Sequence, residues 1–168
     1  MLNLIRFVLK YFRSVDVFIA DRNLKYRLPK NYYLKVNRKI SRVILKDVSD
    51  YFVQNDEKKK RFSNKCFFLT LHKKKKLVCS GWIFFGNKWK ISEIDHNINT
   101  YKNILIFDFI TPLKERNRGN YTMLLKAIRN KYKNRGILIY ALKRNLFSKK
   151  AILKAGFKFK ENLNKFSK

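Results

Sequence analysis

A chain of 168 residues with 46% hydrophobic content, including 15 Phe and 9 Tyr, can bury the core of one domain and is too apolar to be disordered. Its 41 basic and 11 acidic residues give a formal net charge of +30, a field that attracts nucleic acid, anionic lipid or polyphosphate ligands without choosing among them. No stretch approaches the roughly 20 apolar residues of a membrane span, and two cysteines are too few for a disulfide framework.

In chain order, "MLNLIRFVLKYF" fits a basic amphipathic helix, with Leu2, Ile5, Leu9 and Phe12 on one face. It suits packing on its own domain or lying on a membrane surface, so residues 1–14 carry the one expected peripheral membrane contact. Arg6 and Lys10 make it a poor signal peptide. Val15 to Asp21 is β-prone, and the stretch from Asn23 to Ile40 reads as loop and connector, with Pro29 breaking any helix. Val48, Tyr51 and Phe52 give helical spacing from about Lys46 to Arg61. "CFFLTLH" and "LVCSGWIFF" then form a hairpin joined by Lys73 to Lys76. Cys66 and Cys79 fall inside these strands, where reduced, buried thiols of a cytoplasmic protein are expected. "KWKISEIDHNI" reads as a further strand, and Asn103 to Thr111 as the central one. A helix from about Gly119 to Tyr132 follows, then a buried strand from Gly136 to Leu142. Last come a helix between an N-cap-like Asn145 and a terminating Gly156, and a final strand or edge in "FKFKENL". No Pro/Gly/Ser-rich linker divides the chain, so residues 1–168 are read as a single domain. The expected fold is an α/β (α+β) layer structure: a mixed, mostly antiparallel sheet flanked by helices, with a β-α-β-α-β C-terminal half.

The join between the central strand and the next helix is the most informative stretch. "FDFITPLKERNRGNYTMLLKAI" delivers an apolar strand to Pro112, a short basic loop, a glycine and a helix. A helix N-terminus offers unpaired N–H groups and the positive end of the dipole, which together suit an anion. Gly119 would let a phosphate approach the backbone, and Arg116 and Arg118 would add charge-assisted hydrogen bonds. The same residues would also serve an ordinary turn.

"RNRGNY", Arg116 to Tyr121, followed by "TMLL", resembles the R/Q-x-x-G-x-G/A signature of the GCN5-related N-acetyltransferase (GNAT) superfamily. "NLFSKKAILKAGF" is similar to that superfamily's N-x-x-S/A…GF ending, and "SGWIFF" to its hairpin. The resemblance covers about residues 60–160. It implies acetyl-CoA as co-substrate and no metal. The amides of Asn117, Arg118, Gly119, Asn120 and Tyr121, with Arg116, would hold the pyrophosphate. The backbone of Phe109, Ile110 and Thr111 would pair with pantetheine and polarise the thioester carbonyl, and Asn145 would touch the pantetheine arm. Two positions depart from the pattern. Tyr121 replaces the signature's last small residue, and Ile152 occupies the place of the tyrosine that many members use to protonate the departing thiolate. Asp108, Thr111 and Tyr121 together resemble members from polysaccharide and amino-sugar pathways, which implies an amine of a sugar or nucleotide-linked sugar as acceptor.

For the general base, Asp108 ranks first. It sits in the most apolar run, where burial would raise its pKa and where it would share a face with Ile106 and Ile110. Glu93 ranks second, with Asp95 expected on the same strand face and His96 on the other. Each of these carboxylates also fits a structural or solvated role. Other functional readings remain open. One is a small basic nucleic-acid-binding protein stacking bases on Tyr32, Tyr33, Phe67 and Phe68. Another is transfer to a protein or peptide amine, and a third is a member that binds acyl-CoA without catalysis.

Overall fold

The computed structural model describes residues 13–21, 23–39 and 55–167. Among them run β1 (Ser14–Ala20), β2 (Tyr32–Asn37), α1 (Asn55–Ser63), β3 (Cys66–Lys73), β4 (Lys76–Phe84), β5 (Lys88–Ile91), β6 (His96–Asn99), β7 (Ile104–Ile110), α2 (Asn120–Lys131), β8 (Ile137–Leu142), α3 (Leu146–Lys154) and β9 (Lys158–Asn164). Seven strands form one sheet in the order β2-β3-β4-β7-β8-β1-β9, and β5-β6 is a separate hairpin. Within that sheet every neighbouring pair is antiparallel except β7–β8, which is parallel across the α2 crossover. The mixed, mostly antiparallel sheet and its β7-α2-β8-α3-β9 half match the sequence expectation.

The central strands β7 and β8 are mostly apolar because both of their faces are covered. Ile104 and Ile106 of β7 join Ile137 and Ile139 of β8 under Leu124, Leu125 and Ile128 of α2 and Ile152 of α3. Leu105, Phe107 and Leu138 face the other way, with Trp82, Phe84 and the hairpin residues Ile91, Ile94 and Ile98, and Phe62 of α1 packs on this second cluster. Burying each large aliphatic side chain of this kind contributes roughly 1.5–3 kcal/mol. The result is three layers, with α2 and α3 on one face and α1 and the β5–β6 hairpin on the other. β1 lies between β8 and β9, so the first described strand is internal to the sheet.

Several local expectations are corrected. Residues 32–37, read as connector, are the edge strand β2. Tyr32, Leu34 and Val36 pack on the core while Lys35 is exposed, and pairing with β3 supplies the stabilisation that local propensity does not. "KWKISEIDHNI" is a hairpin with a turn over 92–95, so Glu93 and Asp95 do not share a strand face. The described part of helix α1 is Asn55–Ser63; the helical reading of 46–54, and that of 2–12, lie outside the described residues. The aromatics proposed as a stacking surface pack inward. Phe68 is buried, Phe67 sits edge-on to Phe85, Tyr32 joins the core, and Tyr33 stacks on His72. No helix among the described residues is long and apolar enough to cross a membrane.

Candidate functional site

The site begins with an irregularity in β7. Ile106 and Phe107 pair with Ile83 and Trp82 of β4, but the next pairing is Ile110 with Ser80. Asp108 and Phe109 therefore stand opposite Gly81, and Asp108 takes a left-handed φ of 48°. The bulge breaks the side-chain alternation. Phe109 turns to the α2 face, where its ring lies against Gly81, while Asp108 joins Phe107 on the α1 face. Asp108 is thus not on the face of Ile106, as alternation predicted. It is 36% exposed rather than buried, and its side-chain partner is Arg61, at 2.7 Å.

The same place is where the sheet opens. The parallel register of β7 with β8 runs from Ile104↔Ile137 to Ile106↔Ile139 and ends there, although both strands continue. The backbone from Phe107 onward therefore faces a gap between two diverging strands.

Beyond β7 the chain makes a short 3-10 turn, Leu113–Glu115, and reaches α2 through two left-handed residues, Asn117 (φ 60°) and Gly119 (φ 73°). A Cβ at Gly119 would meet nothing within 4 Å, so the space around it is open and only the left-handed dihedral favours glycine here. The loop is pinned from beneath. The buried Glu115 carboxylate receives Lys76 Nζ at 2.6 Å, and Asn120 Nδ2 donates to the Glu115 carbonyl at 2.9 Å. The Lys76 bond, against some desolvation, holds Glu115 below the usual carboxylate range. The helical ladder starts with Met123 N–H donating to Gly119 O, which leaves the preceding amides for the loop's open side. Arg116 and Arg118 are exposed; Arg116 Nε donates to Thr111 O at 3.1 Å, and Arg118 leans on Glu115 at 3.5 Å.

α3 approaches this loop. Asn145 caps it, accepting the Ser148 N–H at 3.1 Å, so its carboxamide oxygen is engaged in the cap. Gly156, at φ 82°, ends the helix as expected. Tyr121 packs its ring 5.1 Å from that of Phe109, and burial pushes its phenol far up from the usual range. Ile152 is fully buried against the sheet. Cys66 and Cys79 are free and buried, with both thiols pushed up to about 12 by burial, and Cys79 Sγ lies 3.3 Å from Thr111 Oγ1.

On the opposite face, α1, the β5–β6 hairpin and the parted strands enclose a cleft of about 750 Å3 lined by Glu57, Arg61, Trp89, Glu93, Asp108 and Tyr140 among others. The Arg61 side chain, only 10% exposed, lies over the neighbouring rings of Trp82 (5.1 Å) and Phe107 (5.2 Å). Its Nη2 reaches Glu57 at 2.6 Å and Asp108 at 2.7 Å. Desolvation pulls the guanidinium's pKa down, but Asp108 and Glu57 together outweigh it, so the net shift is up. Sequence reasoning missed Arg61, Trp89 and Tyr140. Arg61 ends a run of lysines, and nothing local distinguishes it. Asp108 and Glu93 are thus brought to one cleft, whereas Asp95, which pairs with Lys90 at 2.6 Å, and His96 do not line it.

No family model and no curated protein matches the sequence. Solved structures do. A GNAT-family acetyltransferase from Colwellia psychrerythraea superposes with a TM-score of 0.57 at 14% identity, over 96% of this chain and 59% of its own. A tandem GNAT protein from the clavulanic acid biosynthesis pathway gives 0.58 at 10% identity, over 89% and 51%. A putative GNAT acetyltransferase from Novosphingobium aromaticivorans gives 0.57 at 9%, over 89% and 61%. The chain spans about half to two thirds of the length of these structures. The chain thus has the fold of the GCN5-related N-acetyltransferases.

Proposed function

We propose that the protein is an acyl-CoA-dependent N-acyltransferase that moves acetyl from acetyl-CoA to an amine of a sugar or nucleotide-linked sugar. The observation that carries this reading is the parting of β7 from β8 directly before an open, left-handed loop at a helix N-terminus. An extended pantetheine arm would pair with the free edge of Phe109 to Thr111. The pyrophosphate would meet the amides of Asn117 to Tyr121, with Arg116 and Arg118 at the rim and Asn145 at the start of α3 beside the arm. The acceptor would enter from the other face, through the cleft that holds Asp108 and Glu93.

In the reaction the amine nitrogen bonds the thioester carbonyl carbon, an N–H of the β7 edge stabilises the oxyanion, and the C–S bond breaks as the amide forms. The nitrogen's proton passes to Asp108, held in place by Arg61, or to Glu93. The thiolate takes a proton from water, since Ile152 offers none. A CoA thioester donor suits a cytoplasmic setting. The strongly basic surface suits a phosphate-bearing acceptor. The test is release of free CoA thiol from acetyl-CoA: it should depend on an added amino sugar or nucleotide-linked amino sugar. Equal release with and without every such amine would contradict the proposal.

A further inference from the structure

The two strands that part after Ile106 and Ile139 each send one polar side chain into the cleft, Asp108 from β7 and Tyr140 from β8. Tyr140 is held by Trp89 of β5, whose indole ring is fixed against Phe107 (4.3 Å) and Phe84 (4.9 Å). Trp89 Nε1 donates to Tyr140 Oη at 3.4 Å. An indole can only donate, so the phenol oxygen is the acceptor of that bond. This is the side-chain hydrogen bond of Tyr140 among the described residues, and the phenol's own O–H remains to be given elsewhere. Burial first, then the Glu93 and Asp108 carboxylates, raise the pKa of the phenol, so it stays a neutral donor.

Taking the cleft as the acceptor side, as the proposed function does, we infer that Tyr140, oriented by Trp89, is a specificity-determining residue that donates its O–H to an oxygen on the carbon next to the reacting amine, so that the acceptor is a vicinal amino alcohol. Asp108 and Tyr140 line the cleft from the two strands that border the parting, so one side chain can take the amine and the other a hydroxyl on the adjacent carbon. The aromatic wall of Trp89 and Phe107 suits the apolar face of a ring carrying both groups. Tyr140 acts on binding and orientation; Asp108 remains the group that receives the proton.

The test compares glucosamine, whose amine is flanked by hydroxyls, with cyclohexylamine, a ring of the same size without them. Wild-type protein should favour glucosamine in kcat/KM. Tyr140→Phe should lower the glucosamine value about tenfold, chiefly through KM, and leave cyclohexylamine unchanged, as expected for one lost hydrogen bond. Trp89→Phe, which keeps an aromatic wall but frees the phenol to rotate, should lower glucosamine by about threefold more than it lowers cyclohexylamine, within the range of a weakened hydrogen bond. It decides the matter if Tyr140→Phe fails to fold. Equal losses on both amines, or no loss on either, overturn the inference. So does a wild type that takes neither amine, or prefers cyclohexylamine, while still transferring acetyl to another amine; acyl transfer then stands without it. A wild type that does not bind acetyl-CoA removes the underlying reading, and the inference with it.

Discussion

Gly81→Ala probes the bulge on which the site depends. A Cβ at Gly81 would lie 2.5 Å from both Cδ1 and Cε1 of Phe109, and 3.0 Å from Cγ. Carbon atoms rest about 3.5–4.0 Å apart, so the ring must withdraw by about 1 Å. It has little room, because Tyr121 lies on it with centroids 5.1 Å apart. Overpacking of this kind costs about 1–3 kcal/mol. For a chain of this size each kcal/mol moves Tm by about 2–4 °C, so the variant should melt roughly 2–12 °C lower. Thermal unfolding followed by circular dichroism reads this directly. Phe109→Leu, which shortens the obstructing side chain, should rescue part of the loss in the double variant. Turnover should fall as well, since Phe109 carries the backbone proposed to face the thioester. A Gly81→Ala protein that melts within about 1 °C of wild type, or a double variant without rescue, would refute the packing account of the bulge.

Three further outcomes are expected. Asp108→Asn keeps a side chain that tolerates φ 48°, so it should leave acetyl-CoA binding intact and lower kcat by about a hundredfold or more; normal turnover would transfer the role of base to Glu93. Glu115, whose folded pKa is depressed, gives stability that is present above the usual carboxylate range and lost as pH falls through the folded value. The stability advantage of wild type over Glu115→Gln in urea melts should therefore shrink on acidification, and an advantage that grows would contradict the Lys76 pairing. Nucleic-acid binding, measured by filter retention, should be sequence-independent and vanish at moderate salt, because the net charge of +30 supplies it without a built surface; tight sequence-selective binding at physiological salt would oppose this.

The elements nearest the Gly119 loop were legible because their determinants are local. Ile104 to Phe107 form a run buried on both faces, α2 carries Leu124, Leu125 and Ile128 at helical spacing, and Asn145 and Gly156 bracket α3 with cap chemistry. Gly119 was legible because a glycine beside two arginines, at the start of an apolar helical pattern, marks a place where the backbone can be approached closely. What stayed hidden depends on contacts between distant segments. Asp108 points away from its alternation partner because Phe109 needs the space left by Gly81 on another strand. Arg61 gains its place only when β4 and β7 set Trp82 and Phe107 side by side beneath it. Glu93 sits in a turn because Ile91, Ile94 and Ile98 all bury against the sheet, which folds the segment back on itself. Tyr140 reads as one more apolar strand residue until β7 and β8 part beside it.

Binding of acetyl-CoA at the Gly119 loop tests the central claim most directly. At a concentration one hundred times its Kd, the ligand should stabilise the protein by about 2.7 kcal/mol, and so raise Tm by roughly 5–10 °C. Gly119→Trp should abolish that rise while remaining folded, because the side chain would fill open space next to the α2 amides and bear only the strain of a left-handed φ. A wild type whose Tm does not move at millimolar acetyl-CoA, or a Gly119→Trp variant stabilised as much as wild type, would contradict the account.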